Sequence, residues 1–165
     1  MDGYRGCGSD PHTWTVHEDG KVTASRPLGY PDYDQPQAPY RPMGEPNHCM
    51  SAMVEESLAE TVDLIRRVAQ QLEVHGGYTL RVGLASKSTD PIYIRTTEGG
   101  TNFMLSLDSA TAIHDFQAIT EDFDPLEAVD DLLPFVRNVC LDLINQGGVR
   151  FLKVLRAMPA TGVTR

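Results

Sequence analysis

The sequence lacks the common motifs of nucleotide-binding proteins and hydrolases. It has no G-x-x-x-x-G-K-[ST] loop, no G-x-G-x-x-G fingerprint and no G-x-S-x-G nucleophile elbow. We therefore expect neither the nucleotide-binding sites nor the hydrolase active site that these motifs form. No stretch approaches 18 uninterrupted apolar residues, so a membrane span is not expected. The opening residues, MDGYRG, lack the basic-then-apolar order of a secretory signal, and we expect no export by that route.

Cysteine and lysine are both scarce. The three cysteines, Cys7, Cys49 and Cys140, are an odd number, which favours a reducing compartment over a disulfide scaffold. The expected location is therefore the cytoplasm. Of the 14 basic residues only three are lysine, and because arginine codons are rich in G and C this bias indicates a GC-rich, bacterial genome.

The net charge of −9 is confined to one part of the chain. The window 98–131 holds nine of the 23 carboxylates and no lysine or arginine. The rest of the sequence is balanced, with 14 acidic and 14 basic residues. A patch of one sign steers association with a partner of the opposite sign, so this window is the main functional candidate.

Residues 1–50 have the composition of an extended arm. They hold seven of the 11 prolines, four of the six tyrosines and the single tryptophan, which favours an extended or disordered chain. An Asp19-Gly20 turn predicts a β-hairpin over residues 13–24, which would dock Trp14 and Val16 on the main domain or on a partner. Alternatively, the native start lies near Met50 or Met53, and the arm is dispensable.

Two segments of the domain that we place at residues 51–165 have helical periodicity. The first has apolar residues every three or four positions up to Leu72, with Ser51 as its predicted cap and Gly76-Gly77 as its end. The second starts at Asp124, with Pro125 in the first turn. Its apolar stripe, which Pro134 should kink or divide, comprises Leu126, Val129, Leu133, Val136, Cys140 and Leu143.

Alternation of apolar and polar residues predicts the strands. The alternating segments are 78–85, 92–95, 103–107, 116–121 and 149–156. Short connections between the first three favour an antiparallel meander. The sequence thus predicts an α+β, two-layer sandwich, in which two amphipathic helices cover an antiparallel sheet of three to five strands and a Pro/Tyr-rich arm precedes it.

The acidic window supports our leading functional hypothesis, a non-catalytic intracellular interaction or regulatory protein. The partner would be a protein with a basic surface, or a second copy of the chain. The carboxylates expected to contact it are Asp115, Glu121, Asp122, Asp130 and Asp131. Asp124 and Glu127 are assigned to helix capping. No calcium-loop spacing occurs, so we expect no metal, and the absence of glycine-rich phosphate-binding motifs predicts no cofactor.

A small enzyme or ligand-binding domain is the alternative from another class. His114-Asp115 could form an oriented base with Asp122 nearby, although no nucleophile adjoins them in sequence. Zinc ligation by Cys7, His12, His17, His48 and Cys49 has no supporting spacing. Cys140 lies on the apolar stripe and is expected to be a small buried hydrophobe.

The C-terminal segment has the opposite charge to the window. After Asp142 the chain has no acid, and it carries Arg150, Lys153, Arg156 and Arg165. These residues permit a third hypothesis, a module of a DNA-associated regulator. However, a sequence pI near 4.9 opposes direct binding to nucleic acid by this chain alone. If this segment lies opposite the acidic window, two copies of the chain could dock head to tail.

Overall fold

The computed structural model of the chain describes residues 13–18, 20–28, 47–86, 88–96 and 110–156. Within them the fold is α+β, as predicted, with two helices and three small sheets. The elements in chain order are β1 (Thr13–Val16), β2 (Val22–Ser25), β3 (His48–Met50), α1 (Ser51–Gln71), β4 (Tyr78–Val82), β5 (Tyr93–Arg95), β6 (Ile119–Phe123) and α2 (Val129–Asn145). The predicted strand 103–107 and most of the arm lie outside the described residues.

Helix α1 begins where the sequence predicts, but it ends at Gln71 with Leu72 at the C-cap position, so the prediction that it continues to Gly76-Gly77 is wrong. Its capping differs from the prediction, because Met50 at the end of β3 occupies the N-cap position and no side chain caps the helix. Ser51 is instead the first helical residue, and its buried hydroxyl has no hydrogen-bond partner. The strand leads directly into the helix, so the N-cap position falls on Met50, whose side chain has no oxygen to accept a capping hydrogen bond.

The strands pair differently from the predicted meander. β4 pairs antiparallel with β6, from Tyr78 opposite Phe123 to Val82 opposite Ile119. β5 pairs in parallel with β3, with His48 opposite Tyr93. β3 lies in a segment predicted to be an unstructured arm, so the predicted meander placed this strand between segments 78–85 and 103–107 and not beside β3.

Helix α2 is continuous through Pro134 and is shorter than predicted. It starts at Val129 rather than near Pro125, with Ala128 at the N-cap position. Of the two alternatives predicted for Pro134, division of the helix is wrong, and a kink stays a prediction. At the other end the chain turns at Gly147, which packs so closely on β5 that an added Cβ would lie 2.7 Å from Cβ of Ile94.

The core lies between the two helices and the short sheets. Its largest fully buried apolar side chains are Ile94, Leu143 and Ile144, contributed by β5 and the second half of α2. Among the described residues, no helix has the length and apolar composition to cross a membrane.

The β1–β2 hairpin contacts the domain through residues other than those expected. Tyr78 donates a hydrogen bond to the carbonyl of Gly20 at 3.3 Å, and Arg26 forms an ion pair with Glu60 at 3.2 Å. By contrast, Trp14 and Val16 are exposed, so docking of these two side chains on the domain is wrong, and their docking on a partner stays a prediction. The turn, the residue that follows β2 and the half-buried Val22, which packs against the core, hold the hairpin on the domain.

Candidate functional site: an acidic surface with exposed apolar side chains

All the described carboxylates of the acidic window are exposed. They are Asp115, Glu121, Asp122, Asp124, Glu127, Asp130 and Asp131, while Glu98 and Asp108 lie outside the described residues. No ion pair with a described lysine or arginine neutralises any of the seven. Their negative charge is therefore presented to solvent.

Glu121 and Asp122 are adjacent on β6 and lie on opposite faces of the β4–β6 pair. Asp122 is on the outer face, where Thr79 donates a hydrogen bond to it at 2.7 Å. Glu121 lies across from the buried Leu80 in the register of the two strands. Because successive side chains of a strand alternate between faces, Glu121 and Asp122 are on opposite faces. The acidic window consequently does not form one flat surface.

Asp124 stabilises a turn before α2. Its Oδ1 accepts a hydrogen bond from the backbone N–H of Leu126 at 2.9 Å, and its carbonyl accepts one from Glu127 at 3.3 Å. The prediction that Asp124 and Glu127 cap the helix is wrong, because the helix starts only at Val129. Asp130 and Asp131 occupy the first turn instead, where the partial positive charge of the helix N-terminus favours carboxylates.

The first part of the predicted apolar stripe faces solvent. Leu126, Val129 and Leu133 are 37%, 56% and 41% exposed, although the periodicity assigned them to the core. The buried face of α2 is instead formed by Leu132, Val136, Val139, Cys140, Leu143 and Ile144. Exposed apolar side chains grouped at one place mark a binding surface more often than isolated ones do.

These residues define the acidic–apolar surface, which consists of Asp124, Leu126, Glu127, Val129, Asp130, Asp131 and Leu133. Val129 and Leu133 are one helical turn apart and lie side by side. Asp130 precedes Leu133 by three positions and is therefore also its neighbour on the helix. Apolar groups and carboxylates alternate within a single turn and a half of α2 and the turn before it.

His114 and Asp115 lie in the loop before β6 and are exposed. The carboxylate of Asp115 accepts a hydrogen bond from the side chain of Gln117 at 2.8 Å, whereas Asp122 is bonded to Thr79. No hydrogen bond between described residues joins the three candidate catalytic side chains. The structure therefore gives each of the two carboxylates its own separate partner.

The zinc candidates fall in different surroundings. His17 is exposed, while His48 is buried, stacks on Tyr93 with ring centroids 4.6 Å apart and accepts a hydrogen bond from Arg95 at 2.9 Å. Cys7 and His12 lie outside the described residues. Within the described part of the chain, no three His, Cys, Asp or Glu side chains are grouped to hold a metal ion.

The two described cysteines are buried and form no disulfide. Burial raises the pKa of Cys49 to about 12. It also raises the pKa of Cys140 to about 12, with a further contribution from the negative charge of Glu55. Both thiols are thus held in the protonated form, which is a poor nucleophile. Cys140 is a buried apolar group, as predicted.

The role of Glu55 was not predicted from the sequence. It is fully buried in α1, and its carboxylate accepts backbone hydrogen bonds of 2.8–3.1 Å from Lys153, Val154 and Leu155. Because a buried carboxylate needs such donors to offset its lost hydration, Glu55 fixes the conformation of this segment. The detectable signal was a carboxylate within the apolar stripe, three residues before Leu58.

The bonds to Glu55 explain why residues 149–156 are not a strand. Three consecutive N–H groups converge on one carboxylate, whereas a strand points successive N–H groups to opposite sides. The segment is therefore bent, and its prediction as a strand is wrong. Its exposed apolar side chains are Phe151 (42%) and Val154 (48%).

We call residues 150–156 the basic–apolar strip. Arg150 and Arg156 are exposed and Lys153 is half-buried, with its ammonium 5.7 Å from the centre of the Phe151 ring. Leu152 is buried and attaches the strip to the core. The strip has the opposite charge to the acidic–apolar surface and a similar content of exposed apolar groups.

Comparison of the chain with protein-family models, curated proteins and solved structures finds no match.

Proposed function

We propose that the protein is a non-catalytic docking protein that binds a basic protein partner through the acidic–apolar surface. The exposure of Val129 and Leu133 among carboxylates is the observation that supports this most strongly. Apolar side chains supply the favourable free energy of burial on association. The surrounding carboxylates select a basic partner and speed its encounter.

The partner chemistry follows from the spacing on α2. A segment with apolar residues along one face and arginine or lysine on both sides of that face would cover Val129 and Leu133 and pair with the carboxylates around them. An amphipathic basic helix has this arrangement, because its apolar anchors recur at three and four residues. We therefore propose a basic amphipathic segment as the ligand and a regulatory role through its capture.

The cytoplasm remains the compartment that we propose. The absence of a disulfide at Cys49 and Cys140 is compatible with a reducing environment. The enzyme hypothesis, based on His114, Asp115 and Asp122, has no comparable support, because the two carboxylates are bonded to different partners. Direct nucleic-acid binding through the strip is opposed by the overall negative charge.

The proposal is tested by titrating the isotopically labelled protein with a synthetic peptide in which leucine and arginine alternate at helical spacing. We expect NMR shift changes confined to residues around Val129 and Leu133, and weaker binding at higher salt. Asp130→Arg should weaken binding by about tenfold, because the charge contribution changes sign.

Two controls separate this site from general charge attraction. Asp142→Arg alters an exposed carboxylate on the second half of α2 and should leave the shift changes around Val129 and Leu133 in place. A peptide with glutamate in place of arginine should not bind. Equal effects of Asp130→Arg and Asp142→Arg, or shift changes spread over the whole surface, would contradict the proposal.

A further inference from the structure

The basic–apolar strip complements the acidic–apolar surface in both charge and apolar content. The surface presents four carboxylates and three exposed apolar side chains, and the strip presents three cations and the exposed Phe151 and Val154. Interfaces combine an apolar centre with charges of opposite sign on the two partners. Each chain thus carries both halves of one interface.

The two halves are not paired with each other within one molecule. Glu55 of α1 holds the strip through Lys153, Val154 and Leu155. The charged side chains at the ends of the strip, Arg150 and Arg156, are exposed, as are the carboxylates of the surface. No ion pair among the described residues joins the strip to the surface, so both halves are available to a second molecule.

We propose that the partner on the acidic–apolar surface is a second copy of this chain, which contacts it through the basic–apolar strip. This proposal rests on the proposed function and names its partner. The contact is head to tail, because the surface of one copy meets the strip of another. In a pair joined this way one copy keeps a free surface and the other a free strip. Further copies can therefore bind, or the row of copies closes into a ring.

Glu55 is the positioning residue of this interface. By binding three consecutive N–H groups it prevents residues 153–155 from forming a strand and leaves Phe151 and Val154 exposed. The strip is consequently presented in a fixed conformation, which reduces the entropy lost on binding.

The first test is analytical ultracentrifugation of the full chain over a range of concentrations. We expect species larger than the monomer that grow with concentration and dissociate at high salt. Added salt shortens the range of attraction between exposed charges, which is already only about 8 Å at physiological ionic strength. A monomer at every concentration, or association that salt does not weaken, would overturn the proposal.

The second test uses two variants, each of which disables one half of the interface. One carries Asp130→Arg with Asp131→Arg, and the other carries Arg150→Ala with Arg156→Ala. The strip is neutralised rather than reversed, so that the two altered halves do not attract each other. Each variant alone should be monomeric. An equimolar mixture should form a one-to-one complex that does not grow, because only one intact surface and one intact strip remain in the mixture. All four positions are exposed or at the surface, and unchanged unfolding midpoints would show that both variants fold.

The outcomes distinguish the two proposals. If either variant still associates alone, or the mixture stays monomeric, a head-to-tail contact is wrong. If the wild-type chain is monomeric but binds the leucine–arginine peptide, the second-copy proposal fails and the proposed function stands. If the chain neither associates nor binds the peptide, both fail. Asp142→Arg serves again as the control that should leave association unchanged.

Discussion

Before Pro134, helix α2 presents Val129 and Leu133 to solvent, whereas after it Val136, Cys140 and Leu143 are buried. The two halves have the same kind of apolar side chains at the same helical spacing. They differ in what covers the stripe, because Val136, Cys140 and Leu143 are buried in the core, where α2 contacts α1 and β6, whereas in the first half the neighbouring Leu132 is buried and the stripe itself is not. The comparison shows that an apolar stripe can be buried in the core along one half of a helix and be exposed to a binding partner along the other half.

The largest expected difference between the halves is in thiol reactivity. We expect Cys140 in the buried half to react with iodoacetamide at pH 8 on the order of a thousandfold more slowly than a cysteine introduced by Leu133→Cys, because only the thiolate reacts and burial raises the pKa of Cys140 to about 12. Mass spectrometry of labelled peptides would measure both rates in one protein. Similar rates in the folded state would contradict the comparison, and unfolding in denaturant should make the two rates equal.

Because the pKa values of Cys49 and Cys140 are raised in the folded state, the free energy of unfolding should depend on pH in the alkaline range. Cys49 and Cys140 are protonated in the folded state up to about pH 12, whereas in the unfolded chain they ionise near pH 8.5. The free energy of unfolding should therefore be constant below this pH and fall as the pH rises towards 12, since the unfolded state then binds fewer protons. Urea denaturation at pH 7, 9 and 10 would show the decrease, and Cys140→Ala should reduce its slope.

Truncation of one leucine in each half of α2 should lower the free energy of unfolding by very different amounts. Leu143→Ala is expected to lower the free energy of unfolding by about 3 kcal/mol, because it removes a fully buried side chain and leaves a cavity. Leu133→Ala should change it by less than about 0.5 kcal/mol, as is usual for an exposed position. Urea denaturation of both variants makes the comparison. A large loss for Leu133→Ala would place its side chain in the core.

Glu55→Gln tests the contact that presents the strip. We expect a loss of about 2 kcal/mol, because the amide nitrogen cannot accept the backbone N–H groups and leaves buried donors unpaired. Amide hydrogen exchange of Lys153, Val154 and Leu155 should accelerate in this variant. Glu56→Gln, at the exposed neighbouring position, is the matched control and should change neither stability nor exchange.

The smallest effect is expected at the boundary between the halves. Pro134 lacks the N–H that would bond to the carbonyl of Asp130 within α2. Pro134→Ala should therefore raise the free energy of unfolding by about 1 kcal/mol, after the gain in helix propensity is reduced by the greater freedom of the unfolded chain. A decrease in the unfolding midpoint would show that proline is required at this position.

Local patterns predicted that both helices exist, but they did not predict the helix caps, most of the helix ends or the strand pairing. The start of α1 at Ser51 followed from six apolar residues at helical spacing, a signal that many positions reinforce. The parallel contact of β3 with β5 could not be inferred, because a three-residue strand carries almost no periodicity. The strand expected at residues 149–156 was overridden by Glu55, which lies about one hundred positions away in sequence.

The candidate site was predicted in part. The charge of Asp130 and Asp131 and its confinement to one window were visible in the sequence. The exposed apolar half of the site was assigned to the core, because periodicity shows which side chains share a face and not whether another element covers that face. Asp124 was given a helix-capping role that belongs to a turn, since the residues after it are compatible with both.

The sequence by itself determined that the chain forms two amphipathic helices in an α+β fold and carries its excess negative charge between residues 98 and 131. These properties depend on residue type and on spacings of a few positions. Only the tertiary structure decided that Leu133 is exposed and Leu143 buried, and that Glu55 holds residues 153–155. The physical reason is that the burial and the hydrogen bonds of a side chain depend on which segment, distant in sequence, packs beside it. The residues next to that side chain in the sequence do not determine which segment this is.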